Sequence, residues 1–223
     1  MKIFIDSANL IEIEEALERG FPAGITTNPS ILSNEEKGDY REHIKKIIGL
    51  LERQGYDIPL SVEVFSTNPT EMIQQAEEFV HHFGSYRNLY IKIPVGWDEL
   101  AVIRELRRRG VKVNCTCCMF FNQAVMAARA GANFVSIFYG RIRDTGYDAA
   151  SIVRATHQVF KEWQVPAEII VGSIRHIHDV NEALQAGADI VTVPPKFFRQ
   201  MVSHPKTEEA VRQFITDFEK WRS

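Results

Sequence analysis

The chain has 223 residues, of which 45% are hydrophobic and 25% are charged, and its formal net charge is −3. This composition is typical of a globular protein with a sizeable core, and the slight acidic excess excludes the basic surface that nucleic-acid binding needs. The apolar run Ile3 to Ile5 is too short for a signal peptide, and no later stretch is long enough to cross a membrane. The sequence therefore predicts a cytoplasmic protein.

Eight short β-rich runs alternate with amphipathic helical stretches along the whole chain. Gly20, Gly84 and Gly110 end three of the helices, and Asn68 followed by Pro69 is a typical N-cap and first-turn pair. The predicted strands are 2–6, 23–27, 59–65, 89–94, 111–116, 133–138, 168–173 and 189–194.

An internal repeat indicates how these units are arranged. The segments AGANFVS, from Ala130, and AGADIVT, from Ala186, each fit a helix end, a glycine cap and a strand. Their 56-residue separation is two units of about 28 residues, and eight such units fill the chain. The sequence thus predicts one (β/α)8 TIM barrel domain over residues 1–223. A doubly wound open sheet is the alternative, but no glycine-rich loop follows the first strand.

An extra C-terminal helix is predicted at 207–221. Val211, Phe214, Ile215 and Phe218 share one of its faces. Two roles fit this apolar face: it closes the bottom of the barrel, or it contacts a neighbouring subunit in an oligomer. The sequence leaves both open.

The three cysteines, Cys115, Cys117 and Cys118, lie in the fifth strand-like segment. An odd number of cysteines suits a reducing compartment better than a disulfide framework. A tetrahedral metal site needs a fourth ligand, and neighbouring strand residues point to opposite faces. We therefore expect small buried side chains here, and no metal or other cofactor.

Lys92 lies in the fourth strand, LYIKIP, among mostly apolar residues. One interpretation is an edge strand whose lysine stem lies on apolar surface while the ammonium reaches water. The other is a lysine inside a barrel, where desolvation favours the neutral amine that forms a Schiff base with a carbonyl substrate. This strand alone does not decide between them.

Polar side chains occur at or near the C-terminal ends of seven consecutive predicted strands, where TIM barrels carry their active sites. Each alone has another explanation, such as a helix N-terminal charge for Asp6, a turn residue for Asn28 and a solvated loop residue for Arg141. Core packing does not explain the whole set. It comprises Asp6, Thr26, Thr27, Asn28, Glu63, Lys92, Asn114, Thr116, Ser136, Arg141, Ser173 and Arg175.

The motifs FIDSANL, GITTNPS, SVEVFST, YIKIP, VNCT, FYGR and GSIRH, and the stretch from AGAD to TVPP, follow one another in this order. With them the chain resembles, over essentially its whole length, the small transaldolases and the related fructose-6-phosphate aldolases. The resemblance implies that Lys92 forms the Schiff base and that Asp6 is the acid/base group at the carbon–carbon bond. It implies that Glu63 handles protons through a water molecule bound by Thr116.

The resemblance also implies the substrate-binding residues and the partners. Sugar phosphates are the expected ligands, and relatives commonly form pentamers or decamers, so a homo-oligomer is expected. Thr27 and Phe138 belong to the expected substrate site. The remaining expected ligands are Asn28, Asn114 and Ser136 for the dihydroxyacetone portion, and Arg141, Ser173 and Arg175 for the phosphate.

Two positions distinguish the activities within this family. Fructose-6-phosphate aldolases typically have Gln where this chain has Glu63, and Tyr where it has Phe138. A phenolic hydroxyl can hold a water molecule that protonates the enamine, and Phe has no such group. Both positions favour a transaldolase that transfers a dihydroxyacetone unit from fructose 6-phosphate or sedoheptulose 7-phosphate. An aldolase-type lyase, a non-catalytic sugar-phosphate-binding barrel and a phosphate-binding isomerase remain alternatives.

The chain also departs from the family pattern near the expected pocket. Relatives commonly have IP-x-T-x-x-G after the lysine, a Phe-Ser pair after the threonine, and FVGR. We expect the departures to line or border the pocket and to affect the choice of sugar. They are Gly96, Trp97, Glu99, Met119, Phe120, Phe121, Ile137 and Tyr139.

Overall fold

Eight parallel strands form a closed barrel in the computed structural model, which describes residues 1–222. Strand β1 pairs with both β2 and β8, so the sheet has no free edge, and the predicted TIM barrel is confirmed. The strands are β1 Lys2–Asp6, β2 Ile25–Thr26, β3 Leu60–Glu63, β4 Leu89–Pro94, β5 Val113–Cys118, β6 Phe134–Phe138, β7 Glu168–Gly172 and β8 Ile190–Val193.

Helices connect the strands, and a 3-10 turn at Pro195–Phe197 follows β8. Within residues 1–222, none of the helices is long and apolar enough to pass through a membrane. The helices are α1 Leu10–Leu17, α2 Pro29–Leu32, α3 Tyr40–Arg53, α4 Pro69–Phe83, α5 Trp97–Arg108, α6 Phe121–Arg129, α7 Tyr139–Asp144, α8 Ala149–Glu162, α9 Ile177–Gln185, α10 Phe198–Val202 and α11 Pro205–Arg222.

The local signals predicted from the sequence recur in the structure. The Asn68 side chain accepts hydrogen bonds from two backbone N–H groups at the start of α4, as an N-cap does. Gly131 and Gly187 follow α6 and α9 with φ values of +104° and +99°, a conformation that glycine adopts without strain. The repeated helix end, cap and strand are therefore confirmed.

Six of the eight strands differ from their predicted bounds, among them β2 and β5. Strand β2 is shorter than predicted, and a Cβ at Gly24 just before it would lie 2.4 Å from the Phe4 ring, so only glycine fits there. Strand β5 extends to Cys118, with a register shift between Cys115 and Cys118 and a φ of +62° at Cys117. This irregularity lets the strand continue past its predicted end at Thr116.

The interior of the barrel has an apolar level and a polar level. Phe4, Phe134, Ile170 and Ile190 form a buried cluster separate from the core under the helices, and Tyr90 packs against it. The Tyr90 and Phe134 rings are stacked with their centroids 4.3 Å apart. The strands themselves thus fill the lower part of the barrel with apolar side chains.

The polar level begins two residues further along the strands. Asp6, Lys92, Ser136 and Thr192 each lie two positions after a member of the apolar level. Alternate strand residues face the same side of a sheet, so these four side chains also point into the barrel, nearer its C-terminal mouth.

The C-terminal helix α11 begins at Pro205, where proline suits the first turn. None of its residues is buried, and Val211, Phe214, Ile215 and Phe218 are all exposed, Phe214 by 70%. The helix therefore does not close the barrel bottom, which excludes one of the two roles considered for it.

Candidate active site

A cavity of about 410 Å³ opens at the C-terminal mouth of the barrel. Seventeen residues line it, and nine of them are among the twelve residues to which the family resemblance assigns a catalytic or substrate-binding role. These nine are Asp6, Asn28, Glu63, Lys92, Thr116, Ser136, Phe138, Arg141 and Ser173.

Lys92 is buried in the floor of this cavity. Strand β4 pairs with β3 and β5, so the edge-strand interpretation of Lys92 is wrong. Its Nζ lies 3.1 Å from Glu63 Oε2 and donates a 2.9 Å hydrogen bond to the Thr27 carbonyl oxygen. The Lys92 and Glu63 side chains are only 5% and 14% exposed. They are opposite each other in the β3–β4 register, which makes them neighbours on the inner face.

Asp6 lies across the cavity floor at the end of β1. Thr26 donates a 2.8 Å hydrogen bond to Asp6 Oδ1, and because Thr26 has only one hydroxyl proton, Thr192 must donate the bond between the two threonines. Burial raises the pKa of the Asp6 carboxyl above its usual range, although the charge of Lys92 and the hydrogen bond from Thr26 both oppose this effect. A carboxyl with a raised pKa is a stronger base once ionised.

The Thr116 hydroxyl, in β5, also faces the cavity. It is buried and makes no hydrogen bond to any group in the described part of the chain. Buried hydroxyl groups nearly always have a partner, so this oxygen is available to a water molecule or a substrate.

Thr27 and Asn114 are predicted site residues that do not line the cavity. The Asn114 amide donates to Ser61 Oγ at 3.1 Å and accepts from Ser136 Oγ at 2.7 Å. The Thr27 hydroxyl donates to the Ser61 carbonyl oxygen at 2.9 Å. Both side chains therefore fix the positions of residues around the cavity floor. Because the Ser136 hydroxyl donates its proton to Asn114, its oxygen lone pairs face the cavity as acceptors.

Asn28 forms one wall together with α2. Its Oδ1 accepts a hydrogen bond from the N–H of Ile31 and so caps α2, which leaves the amide NH2 group free for a ligand. Pro29, Ser30 and Ile31, the first three residues of α2, also line the cavity. The same asparagine therefore starts the helix and offers a donor to the site.

Arg141 and Ser173 lie at the other side of the mouth. Ser173 has a φ of +59°, and its carbonyl oxygen accepts a 3.0 Å hydrogen bond from the N–H of Gly140. The Arg141 guanidinium lies 5.9 Å from the Phe138 ring centroid, in a cation–π arrangement. Arg175, the third predicted phosphate ligand, is absent from the cavity lining and pairs instead with Asp144.

Eight cavity residues were not assigned a catalytic or substrate-binding role from the sequence, although Thr26 was among the polar residues at the strand ends. Thr192 was detectable, because it is a polar residue in the eighth strand run. Cys117 was predicted to be a small buried residue, and it lines the cavity instead because the irregularity in β5 turns it inward. Burial and the charge of Glu63 raise the pKa of its thiol, which keeps the thiol protonated. The eight are Thr26, Pro29, Ser30, Ile31, Asn34, Cys117, Gly172 and Thr192.

The departures from the family pattern lie outside the cavity lining. Trp97 is 83% exposed. Tyr139 is buried, and its hydroxyl donates a 2.8 Å hydrogen bond to Glu182. None of these departures therefore lines the pocket, although Ile137 and Tyr139 are next in sequence to the lining residues Ser136 and Phe138. The departures are Gly96, Trp97, Glu99, Met119, Phe120, Phe121, Ile137 and Tyr139.

A buried lysine and two carboxyl groups at the mouth of a TIM barrel are the parts of an enzyme that forms a Schiff base with a carbonyl substrate. The chain matches the transaldolase/fructose-6-phosphate aldolase family over residues 3–223, and it belongs to that family. The resemblance seen in its motifs is thus confirmed.

Proteins similar to this chain over its whole length bear out that assignment. A probable transaldolase of Syntrophomonas wolfei is 40% identical over 220 residues, which are 99% of each chain. Probable transaldolase 1 of Listeria monocytogenes is 40% identical over 219 residues, 98% of each chain. A probable transaldolase of Carboxydothermus hydrogenoformans is 38% identical, also over 219 residues and 98% of each chain.

Proposed function

We propose that this protein is a transaldolase that moves a dihydroxyacetone unit from fructose 6-phosphate or sedoheptulose 7-phosphate to an aldose phosphate. The observation that carries the proposal is the buried Lys92, held 3.1 Å from Glu63 on the floor of the cavity. Relatives named probable transaldolases, about 40% identical over the full length, support the same activity.

Imine formation begins with proton transfer from Lys92 to Glu63 across their contact. The neutral amine attacks the ketone carbon, and the ketone oxygen takes up a proton to give a carbinolamine. Loss of this hydroxyl group as water then gives the Schiff base. Glu63 and a water molecule on the Thr116 hydroxyl supply the protons, which the unpartnered Thr116 oxygen supports.

Carbon–carbon cleavage needs a base on the opposite side of the Schiff base. Asp6 removes the proton of the β-hydroxyl group, the bond between the α and β carbons breaks, and its electron pair neutralises the iminium as an enamine. The aldose phosphate leaves, and an acceptor aldehyde takes its place. The enamine then attacks the acceptor, Asp6 returns its proton to the new hydroxyl group, and hydrolysis of the imine releases the product.

The phosphate end of the donor is assigned to Arg141 and Ser173. A planar guanidinium pairs well with phosphate oxygens, and binding there supplies energy remote from the reacting carbons. Both residues line the cavity on the side away from α2, which supports the assignment.

The fate of the enamine separates a transaldolase from an aldolase. Phe138 lines the cavity with a ring that has no hydroxyl group, and its face lies towards Arg141. Because Phe138 cannot hold a protonating water through its side chain, the enamine persists until an acceptor aldehyde arrives. This supports transfer over release of free dihydroxyacetone.

The test is release of glyceraldehyde 3-phosphate from fructose 6-phosphate, with and without erythrose 4-phosphate. Release that requires erythrose 4-phosphate establishes the transaldolase. Release without an acceptor makes the protein an aldolase-type lyase and contradicts the argument from Glu63 and Phe138. No release in either assay contradicts fructose 6-phosphate as the donor and means that the protein acts on another substrate or on none.

Replacing Thr26 with valine should shift the acid limb of the kcat/KM profile to higher pH. The hydrogen bond from Thr26 lowers the pKa of Asp6, so its loss raises that pKa, and a higher pH is then needed to ionise the base. Thr156→Val is the matched control, since Thr156 is equally buried but bonds within α8. An unshifted acid limb in Thr26→Val would show that Asp6 is not the titrating base.

We also infer that the protein is a homo-oligomer in which α11 packs on a neighbouring copy. The helix buries none of its residues within the chain and exposes Val211, Phe214, Ile215 and Phe218. An apolar face of this extent on a terminal helix is typical of a subunit interface. A pentamer or decamer is the expected assembly.

Introducing Asp at Phe214 and Phe218 together should therefore reduce the mass measured by light scattering, because each change puts a charge into the apolar interface. The far-ultraviolet circular dichroism spectrum should not change, since α11 does not contribute to the barrel core. Thr216→Asp, which adds a charge on the opposite side of α11, is the control. An unchanged mass in the double variant would contradict the inferred interface.

A cytoplasmic location is a further proposal. Cys115, Cys117 and Cys118 are free thiols, and the first and last of them are buried. A reducing compartment suits three unpaired cysteines.

A further inference from the structure

Arg175 lies along α7 and away from the cavity. A Cβ at Gly140 would lie 2.7 Å from Arg175 Cγ and 3.0 Å from its Nε, so the stem rests directly on the Gly140 backbone. The Arg175 Nη2 atom lies 2.8 Å from Asp144 Oδ2 at the other end of α7. Asp144 thus holds the guanidinium outside the cavity that Arg141 and Ser173 line.

The backbone around Arg175 is fixed, so only its side chain is free to turn. Asp179 Oδ2 accepts hydrogen bonds from the N–H groups of Arg175 and His176 at 2.8 and 2.9 Å. Two residues earlier, the Ser173 carbonyl oxygen is bonded to the Gly140 N–H. Arg175 is therefore anchored at the edge of the cavity whichever way its guanidinium points.

Another anion can easily replace Asp144 as the partner of Arg175. The two side chains are 49% and 51% exposed, and ion pairs in such contact with water contribute little to stability. A phosphate dianion carries more charge than a carboxylate, and its oxygens accept two parallel hydrogen bonds from one guanidinium. A phosphate bound at Arg141 is thus a stronger partner for Arg175 than Asp144 is.

We propose that Asp144 is a specificity-determining residue, which holds Arg175 away from the cavity until a phosphate group on the substrate displaces it. The inference rests on the proposed function and deepens it. A ketose without a phosphate binds in a cavity where Arg141 is the one arginine among the described lining residues, whereas the phosphate of a phosphorylated ketose also binds Arg175. The exchange forms and breaks no covalent bond.

The proposal predicts a change in affinity for one class of ligand. Phosphate binds with its full affinity only to molecules in which Arg175 is released from Asp144, so the pair lowers the apparent affinity. Asp144→Asn removes the pair and should therefore lower the KM for fructose 6-phosphate. Half-exposed pairs of this kind imply about a two- to fivefold decrease. The Kd of inorganic phosphate, measured by calorimetry, should fall by the same factor. Neither kcat with fructose 6-phosphate nor kcat/KM with unphosphorylated fructose should change.

Two further variants separate this exchange from a simple loss of negative charge. In an Arg175→Gln background, Asp144→Asn should no longer change the Kd of phosphate, because the arginine that it held is absent. Glu168→Gln is the matched control, since Glu168 forms a surface pair with Lys2 at 2.7 Å whose side chains are 37% and 45% exposed. It should leave both phosphate affinity and KM unchanged.

An equal gain of phosphate affinity in the Arg175→Gln background would overturn the proposal in favour of long-range repulsion. A KM that rises or does not change in Asp144→Asn would also overturn it. Calorimetry with inorganic phosphate requires no turnover, so it tests Asp144 even if the wild-type protein proves not to be a transaldolase.

Discussion

Replacing Lys92 with alanine should lower kcat/KM by at least about 10⁴-fold, because the variant loses the nucleophile on which the whole covalent route depends. Treatment of the wild-type protein with fructose 6-phosphate and borohydride should add the mass of one reduced dihydroxyacetone unit or hexose phosphate. The same treatment should add no mass to Lys92→Ala. A mass adduct on this variant would place the Schiff base on another lysine and contradict the assignment.

The stability of this variant needs its own control. Lys92 and Glu63 are a nearly buried ion pair, and removing one partner of such a pair costs about 3–5 kcal/mol, or less where a cavity admits water. The double variant Lys92→Ala/Glu63→Gln removes both charges and should recover much of the lost Tm. It should remain inactive, which separates loss of chemistry from loss of fold.

The affinity of Lys92→Ala for fructose 6-phosphate distinguishes an enzyme from a binding protein. A barrel that only binds sugar phosphates should keep its affinity for fructose 6-phosphate without Lys92, since no imine contributes to it. An enzyme that holds its donor covalently should lose affinity for fructose 6-phosphate while keeping its affinity for inorganic phosphate. Calorimetry with both ligands makes the comparison.

The sequence predicts the barrel well because its signals are local. Strands β1 and β4 have the predicted bounds, since each is a short apolar run that begins or ends at a sharp change of residue type. Alternation predicts which residues of a strand share a face, but for Lys92 it left an edge strand and the barrel interior both open, and the pairing of β4 on both sides decides between them. Where a strand is irregular, as in β5 at Cys117, alternation fails and the side chain is assigned to the wrong surroundings.

The use of each polar group is harder to predict than its position. Asn114 faces inward as expected, yet both ends of its amide are taken by Ser61 and Ser136, which lie on other strands. Arg175 lies next to the site but pairs with Asp144, 31 positions earlier in the chain. Which partner a side chain finds depends on loop geometry and on competition among side chains. Neither of these produces a periodic pattern in the sequence from which it could be predicted.

The C-terminal helix illustrates the same limit. Its apolar stripe at 211, 214, 215 and 218 is visible in the sequence. Such a stripe predicts that the face is buried against another surface, but it does not identify that surface. The structure excludes the barrel as the cover, because Phe4 and its neighbours already fill the lower interior and α11 buries none of its residues.

Replacing Asp6 with asparagine should lower kcat by about 10²–10⁴-fold and at the same time raise the Tm at neutral pH. The loss of activity follows because asparagine cannot accept the proton of the β-hydroxyl group. The Schiff base does not depend on Asp6, so borohydride should still trap the intact hexose phosphate on Lys92. Trapping of the cleaved three-carbon unit should fall in proportion to kcat.

The gain in stability follows from the sign of the pKa shift. Burial raises the pKa of Asp6 in the folded protein above its value in the unfolded chain, so the folded state binds the proton more tightly. The stabilisation from this protonated group is complete below the unfolded pKa and is lost as the pH rises through the folded pKa. At neutral pH the ionised carboxylate therefore costs stability, which asparagine avoids.

Thermal unfolding from acidic to neutral pH tests this account directly. The Tm advantage of Asp6→Asn should be largest at neutral pH and should shrink as the pH falls towards about 4, the unfolded value of a carboxyl group. A variant that is less stable than the wild type at neutral pH would show that Lys92 and Thr26 stabilise the Asp6 charge by more than burial penalises it. We expect instead that Asp6→Asn is the more stable protein at neutral pH, because the wild-type site is less stable with a buried ionised carboxylate that serves as a strong base.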